Sequence, residues 1–367
     1  MQNKFNFTGE LYIPKENSKR PLISKKKITT NNRTREYLSL NFGIKESDTN
    51  MAFVEGFDSA VDTIQTYDTD NNKIEVDWAD RNDPEIVKSV ANYRKYIVDL
   101  GDDTDGRQEF ITQYDMINYL DTALRNYKGK LTVTGTYSRS EYKGTYYDKF
   151  RIQNVFAVEE EKKNRLGLTV DFYYNKDSVD KTDYKEDKKI YIDGYILQYV
   201  NKDEGNKYFP MRLVFNGSKY DMDNPKHVQL YDYKMQYVDI KNKKMSHIAW
   251  EVVLIRGAEE AEFTMDMLTD KQRQQVELGI KELDDFRPRS IAGDKINEFR
   301  LFEPVLKDFG KEDNFCDGLV ELDMKLSEFE EDIYVPNAKE EKLEVAAKDD
   351  EKTQQANDDD NDIDDLF

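Results

Sequence analysis

The sequence contains one cysteine, two histidines and no long hydrophobic run. A single Cys316 excludes a disulfide framework and a cysteine-rich zinc site, and we expect it to be a buried structural residue. His227 and His247 have no cysteine or second histidine at ligand spacing, which argues against a metal site. Residues 1–25 lack the apolar core of a signal peptide, and no stretch approaches eighteen apolar residues. The sequence therefore predicts a cytoplasmic protein that does not enter membranes.

The familiar enzyme motifs are also absent. The sequence has no G-x-x-x-x-G-K-[ST] loop, G-x-G-x-x-G turn, G-x-S-x-G elbow or H-E-x-x-H pair. The stretch from Asp68 begins like a calcium loop, but Lys73 replaces the required glycine and Ala79 replaces the bidentate glutamate. E-x-K triplets at 160–162 and 186–188, which resemble parts of nuclease sites, are expected by chance in so charged a chain. We predict a protein that is not an enzyme and uses no metal or cofactor.

The charge of the chain is high and unevenly distributed. Charged residues make up 35% of the sequence, and its net charge is −20. Residues 337–367 hold 12 acidic residues against 4 lysines, whereas residues 15–36 hold eight basic residues against two acidic ones. Aromatic residues are plentiful, with 24 Tyr and 19 Phe, so most of the chain should fold. A basic segment in an acidic protein suggests a polyanionic ligand, although a solvated loop is the simpler alternative.

The first 161 residues have the element order of an OB-fold barrel. Asp83 caps a predicted helix that starts at Pro84, and residues 114–129 predict an amphipathic helix. In an OB fold such a helix lies between the third and fourth strands and plugs the barrel. We expect residues 50–92 to be an insertion in the barrel loops. The remaining alternation predicts strands at 3–13 and 35–44 and hairpins at 94–112 and 129–160.

A second barrel and a helical region follow. Thr269 and Gln272 form a capping-box pattern, which predicts a helix ending near Pro288, and a second helix is predicted over Gly293–Phe299. The chain is thus predicted to be mainly β, with barrels at 1–161 and 162–262, a small helical region at 263–336 and a disordered acidic tail at 337–367. Five strand-like runs suit the second barrel: 166–174, 188–200, 206–216, 229–240 and 246–257.

Aromatic residues and cations alternate on the predicted strands and in the basic loop. Single-stranded nucleic acid calls for this mixture, because cations follow the phosphates while flat side chains stack on bases. Tyrosine is also a favoured strand residue, so part of these rings should instead lie in the core. The residues predicted to bind nucleic acid are Lys19, Arg20, Lys25, Lys26, Lys27, Arg33, Arg35, Tyr37, Tyr137, Arg139, Tyr142, Lys143, Tyr146, Tyr147, Lys149, Arg151, Tyr195, Lys207, Tyr208 and Arg212.

The C-terminal residues carry a resemblance to a known family. Six aspartates between Asp358 and Asp365 precede Leu366 and Phe367. With the OB-type element order and the basic loop, this ending resembles the single-stranded-DNA-binding proteins, whose bacterial members end in an acidic run followed by Ile-Pro-Phe. Here Leu stands in the position of Pro. The size, the two barrels and the Lys/Asn/Tyr-rich composition resemble a bacteriophage version, which would act in the host cytoplasm.

The resemblance implies a function in DNA replication, recombination and repair. The barrels would coat single-stranded DNA, with RNA left open as a ligand, and the tail would recruit a polymerase, helicase or primase. Two alternatives are a viral scaffold protein with a solubilising tail and a nuclease with a cryptic carboxylate site. The residues that the resemblance assigns to partner binding are Asp362, Asp364, Asp365, Leu366 and Phe367.

Overall fold

The computed structural model describes residues 3–30, 33–101, 106–182, 184–260, 265–286, 292–305 and 320–336. The predicted acidic tail and Cys316 lie outside these residues. Within them the chain is mainly β, as the sequence predicts. The strands of the first half are β1 (Lys4–Tyr12), β2 (Ile23–Thr30), β3 (Arg33–Lys45), β4 (Met51–Ser59), β5 (Thr63–Tyr67), β6 (Lys73–Asp77), β7 (Tyr96–Asp99), β8 (Gln108–Phe110), β9 (Lys130–Tyr142) and β10 (Thr145–Val158).

The second half continues with seven strands in the described residues, and six α-helices are spread over the whole described chain. None of these helices is long and apolar enough to cross a membrane. The strands are β11 (Arg165–Tyr174), β12 (Val179–Asp180), β13 (Lys189–Asn201), β14 (Gly205–Asn216), β15 (Ser246–Glu260), β16 (Ala292–Pro304) and β17 (Val320–Glu321). The helices are α1 (Pro84–Ser89), α2 (Gln113–Asn126), α3 (Tyr184–Asp187), α4 (Pro225–Val238), α5 (Asp270–Glu277) and α6 (Leu326–Glu331).

Five strands of the first half close into a ring in the order β1–β3–β4–β10–β9, and β9 returns to β1. The β4–β10 pair is parallel, with Arg151 opposite Glu55, and the other four pairs are antiparallel. Along the chain, helix α2 follows β4, the third strand of this ring, and precedes β9, the fourth. It buries Ile117, Leu120 and Leu124. This is the connectivity of an OB-fold barrel with its plugging helix, as predicted.

A second ring has the same connectivity in the order β11–β13–β14–β16–β15, with β15 returning to β11. Its parallel pair is β14–β16, where Leu213 lies opposite Phe299, and α4 lies between the third and fourth strands. Strand β1 also pairs with β11, so both rings belong to one extended sheet. The core of the second ring includes the fully buried Trp250 and Phe172.

Two elements of the second half differ from their predictions. The run 229–240 was predicted as a strand but lies mostly in α4, because Asn224 caps this helix by accepting the N–H of Lys226 and Pro225 occupies its first position. The helix predicted over Gly293–Phe299 is wrong, since β16 runs there. Long pairing with β15 and closure onto β14 outweigh the local helical pattern. The fifth strand of the second ring therefore comes from the range that was predicted to be helical.

Several local predictions are confirmed. The hairpin predicted at 94–112 is the antiparallel pair β7–β8. Asp83 caps α1 through its side chain, and Thr269 and Gln272 form the capping box of α5. Helix α5 ends earlier than predicted, because Gly279 just beyond it adopts a φ of 68°, the left-handed conformation that terminates helices.

The insertion in the first barrel starts later than predicted. Met51–Ser59 is a strand of the ring, so the insertion covers 60–112, between the third strand and α2. Its hairpin β5–β6 and helix α1 pack around a small core of Val76, Val90 and Ile111. The insertion therefore forms a small folded unit beside the barrel.

Candidate nucleic-acid interface

The outer face of β3 and β4 presents a pair of stacked rings. Because side chains alternate along a strand, Leu38 and Leu40 point into the barrel and Tyr37 points out. Phe57 on β4 also points out, and 48% of its surface is exposed. The two ring centroids lie 5.7 Å apart with planes inclined by 23°. The pair forms a flat aromatic platform on the second and third strands, the face with which OB folds bind oligonucleotides.

Cations surround this platform. Lys26 lies opposite Tyr37 in the β2–β3 pairing, and Arg35 lies two residues before Tyr37 on the same face of β3. Arg151, opposite Glu55 on β4, borders the platform on its other side. Lys26, Arg35 and Arg151 are exposed, and no ion pair within the described chain occupies them. The part of the basic segment that forms the β2–β3 hairpin thus lies along one side of the platform.

A cavity of ≈ 660 Å³ opens beside the platform, between the barrel and the insertion. Arg94 lies over the rings of Tyr67 and Tyr93, with its guanidinium carbon 4.7 and 5.4 Å from the centroids. Tyr93 donates a hydrogen bond from its hydroxyl to Asn71 at 2.8 Å and remains largely exposed. Trp78 also lines this cavity. Aromatic rings and a guanidinium are the groups that stack on bases and contact phosphates in proteins that bind single strands.

A second depression lies next to the cavity at the β2–β3 hairpin. It is lined by Lys27, Arg35 and Asp62, and Val61 lines both spaces. The Lys27 ammonium is 3.9 Å from the Glu36 carboxylate, a contact that solvent screens because the lysine is mostly exposed. We call these two adjoining spaces and the Tyr37–Phe57 platform beside them the groove of the first barrel.

The β9–β10 hairpin contributes an exposed rim. Tyr142, Tyr147 and Lys149 are exposed, and Lys143 lies at the turn with a φ of 52°. Lys149 and Arg151 alternate with the buried Phe150, as the sequence predicts. Tyr146 lies under the guanidinium of Arg139 at 5.4 Å, which leaves it only partly accessible.

Two residues predicted to bind nucleic acid instead hold the structure together. Tyr137 is 3% exposed and donates to Asp148 at 2.8 Å, and burial together with that carboxylate raises its pKa well above the ordinary value. Arg139 pairs with the same carboxylate at 3.1 Å, and Arg256 of β15 pairs with it at 2.8 Å. The prediction is therefore corrected for Tyr137, which is a core residue. Arg139 belongs to an internal ion cluster between the first and the second barrel.

The predicted residues of the second barrel are also largely engaged. Tyr208 is buried, and Lys207 pairs with Asp332 at 2.9 Å. Tyr195 packs against Phe329 of α6, with centroids 5.3 Å apart. Arg212 is exposed but forms a two-pronged ion pair with Asp193, at 2.7 and 2.8 Å. In this conformation Tyr208 has no accessible face for a base.

The other predicted residues divide between exposed positions of the basic segment and positions whose side chains the structure does not describe. Lys19, Arg20 and Lys25 are exposed on the basic segment. The backbone of Arg33 belongs to β3, and its side chain lies outside the described part. The tail residues Asp362, Asp364, Asp365, Leu366 and Phe367 lie outside it as well, so their role stays a prediction.

The sequence reasoning missed Phe57, Trp78, Tyr93 and Arg94. A signal for Phe57 was present, because Ala52, Val54 and Gly56 alternate inward along Met51–Ser59 and place Phe57 outward. The residues of the insertion had no such signal, since only its packing against the barrel brings them to the groove. In the described part of the chain, no group of three or more His, Cys, Asp or Glu side chains is placed to hold a metal ion.

Comparisons with known proteins give little. No protein-family model matches the sequence, and no curated protein is significantly similar to it. Among solved structures, one similar chain is a deletion mutant of the single-stranded DNA binding protein from Thermus aquaticus, with 10% identity over 85% of this chain and 98% of that chain. The TM-score is 0.29, a likeness too remote to carry an argument about fold or function.

Proposed function

We propose that the chain binds single-stranded DNA along the groove of its first barrel. The observation that carries the proposal is the stacked Tyr37–Phe57 platform on the outer face of the second and third strands, where Phe57 is exposed and Tyr37 half-buried. Lys26, Arg35 and Arg151 border it. Bases stack on such rings with ~1–3 kcal/mol each and without sequence preference. The cations follow the phosphates, so binding should weaken steeply with salt.

The net charge of −20 does not oppose this function. Binding depends on the local field of the groove, which Lys27 and Arg35 line, and the segment 15–36 to which they belong contains eight basic residues. The acidic balance elsewhere reduces non-specific attraction to duplex DNA. Its repulsion of DNA is weak at 0.1 M salt, because exposed charges more than ~10 Å apart are screened there.

The proposal includes a role for the C-terminal residues. Asp362, Asp364, Asp365, Leu366 and Phe367 form an acidic peptide that ends in an aromatic residue and a free carboxylate. Such a peptide fits a basic pocket with an apolar floor on a replication protein such as a polymerase, helicase or primase. Recruitment of these proteins to coated DNA would serve replication, recombination and repair. The support for this part is the sequence alone.

The test is a titration with oligo(dT), followed by intrinsic fluorescence and repeated from ~50 mM to ~300 mM salt. Full-length protein and a variant lacking residues 358–367 are compared. We expect binding by both, a negative slope of log K against log salt, and tighter binding by the shortened variant at low salt. Absence of binding at ~50 mM salt would overturn the proposal in favour of a scaffold. Metal-dependent cleavage of the oligonucleotide would indicate a nuclease.

A further inference from the structure

The last described segment of the chain, residues 320–336, lies against the second barrel. Strand β17 pairs with β15, and α6 follows after a short turn. Beyond α6 the backbone adds to the edge of β14. The N–H of Tyr208 donates to the carbonyl of Asp332, and the N–H of Tyr334 donates to the carbonyl of Tyr208, both at 2.9 Å. The segment is thus fixed to β14 by backbone pairing.

An aromatic ring of this segment stacks on the barrel surface. Phe329 of α6 is 1% exposed, and its ring lies 4.1 Å from that of Tyr208 with the planes inclined by 29°. Tyr195 and Tyr173 meet the same phenyl ring at 5.3 and 6.4 Å. Three tyrosines of the barrel therefore form a pocket that one phenylalanine fills.

An acidic group accompanies the ring. The carboxylate of Asp332 lies 2.9 Å from the ammonium of Lys207, which is largely buried in this contact. Burial is the main cause of the raised pKa of Tyr195, and the negative charge of the nearby Glu330 raises that pKa further. The segment thus presents a stacked ring and carboxylates side by side, as a nucleotide presents a base and a phosphate.

The position of this contact matters because the two barrels share their connectivity. Strands β13 and β14 are the second and third strands of their barrel, as β3 and β4 are in the first. Tyr195 and Tyr208 lie outside the second barrel on these strands, while Ile192 and Ile196 lie within its core. The face that carries the Tyr37–Phe57 platform in the first barrel is therefore covered in the second.

We propose that the Tyr173–Tyr195–Tyr208 face with Lys207 is a second surface for single-stranded DNA, and that residues 325–334 occupy it as a mimic of the nucleic acid. DNA and the segment then exclude each other. The inference rests on the function proposed above, because it assumes that the first barrel binds the strand and delivers it to the second. Release of the segment would switch the protein from a short binding site to a long one.

Hydrogen exchange on the full chain tests the exclusion directly. OB folds occupy ~4–16 nucleotides each, so an oligo(dT) of ~8 nucleotides fills one barrel and one of ~30 nucleotides reaches both. Saturation with the long oligonucleotide should speed exchange of the Phe329 and Tyr334 amides at least tenfold, while the short one leaves them protected. Unchanged protection under saturating long oligonucleotide would overturn the proposal.

A variant provides the second measurement. Phe329→Ala combined with Asp332→Asn removes the ring and the charge of the mimic. We expect affinity for the long oligonucleotide to rise about tenfold, which corresponds to ~1.4 kcal/mol, with no change for the short one. The matched control is Leu326→Ala, an exposed residue of the same helix, which should leave both affinities unchanged. Equal affinities for the double variant and the wild type would contradict the inference.

The outcomes separate the two proposals. If the wild type binds neither oligonucleotide, the function proposed for the first barrel fails. If the wild type binds the short oligonucleotide and the segment stays protected under the long one, only the second surface fails. Should the double variant not fold, the exchange experiment on the wild type decides alone.

Discussion

The rings of Tyr37 and Phe57 stack on the outer face of the first barrel, with centroids 5.7 Å apart. Their strands are fixed by continuous antiparallel pairing, in which Phe57 lies opposite Ser39, and their neighbours Leu38 and Leu40 are fully buried. The backbone that carries the platform is therefore held in place by the sheet before a ligand arrives. The protein therefore loses little conformational entropy when a base stacks on the platform, and this favours binding.

Replacement of Phe57 by Ala should weaken binding to oligo(dT) about tenfold, because one stacking partner worth ~1–3 kcal/mol is lost. The fold should persist, since half of this side chain is already exposed. Fluorescence titration measures the change. The matched control is Phe302→Ala, the same substitution at an exposed position of β16 in the second barrel. Equal losses in the two variants would show that the platform has no special role.

The cations beside the platform should act through the salt dependence of binding. Lys26→Ala and Arg35→Ala each remove one phosphate contact, so each should reduce the slope of log K against log salt by about 0.7. The loss should be the same for oligo(dT) and for mixed sequences, because phosphate contacts carry no sequence information. Lys226→Ala, an exposed lysine at the start of α4, serves as the control and should leave the slope unchanged. A slope that stays constant in all three variants would exclude Lys26 and Arg35 from the interface.

Four of the five ring strands of the first barrel, and its helix, were accessible from the sequence because their signals are local. Alternation predicted β1, β3, β9 and β10, and one amphipathic face predicted α2. The strand Met51–Ser59 was absorbed into the predicted insertion, since no turn signal separates it clearly from the polar residues that follow. With that strand missing, Phe57 could not be assigned to the platform.

The second barrel shows where local signals mislead. Tyr231, Tyr233 and Tyr237 suggested alternation, although Asn224 and Pro225 gave a good helix start. Helix α5 lies between β15 and β16 in the chain. Only the pairing of β16 with β15 and β14 places this strand in the ring. The burial of Tyr208 under Phe329 likewise depends on a contact between residues 121 positions apart in the chain. No local sequence pattern predicts such a contact.

Trp78 should report binding in the cavity beside the platform. The sequence has two tryptophans, and the other, Trp250, is fully buried in the second barrel. Trp78 lines the cavity, with the guanidinium of Arg81 4.1 Å from its ring. We expect DNA to quench tryptophan fluorescence, and Trp78→Phe to abolish the quenching while affinity falls less than threefold. Quenching that survives in this variant would place the strand elsewhere.

A partly buried ion pair between β13 and β16 should make the stability of the second barrel depend on pH. Glu298 of β16 accepts hydrogen bonds from Lys189 of β13 at 2.7 Å and from Arg300 at 2.8 Å. Burial alone would raise the pKa of Glu298, but these two cations hold it below its ordinary value of 4.5. The contribution to stability is therefore complete above about pH 4.5 and is lost as the pH falls through the lowered pKa.

Glu298→Gln should lower the free energy of unfolding by about 1–3 kcal/mol at pH 7, because a charge-assisted hydrogen-bond network loses its anion. The difference from the wild type should narrow as the pH is lowered below 4.5, since the wild-type carboxylate is then protonated as well. Denaturant unfolding at several pH values measures both effects. Glu303→Gln, an exposed change on the same strand, should stay within about 0.5 kcal/mol of the wild type at each pH. A deficit in Glu298→Gln that is constant from pH 7 to pH 3 would show that the lost interaction is one of packing and not of charge.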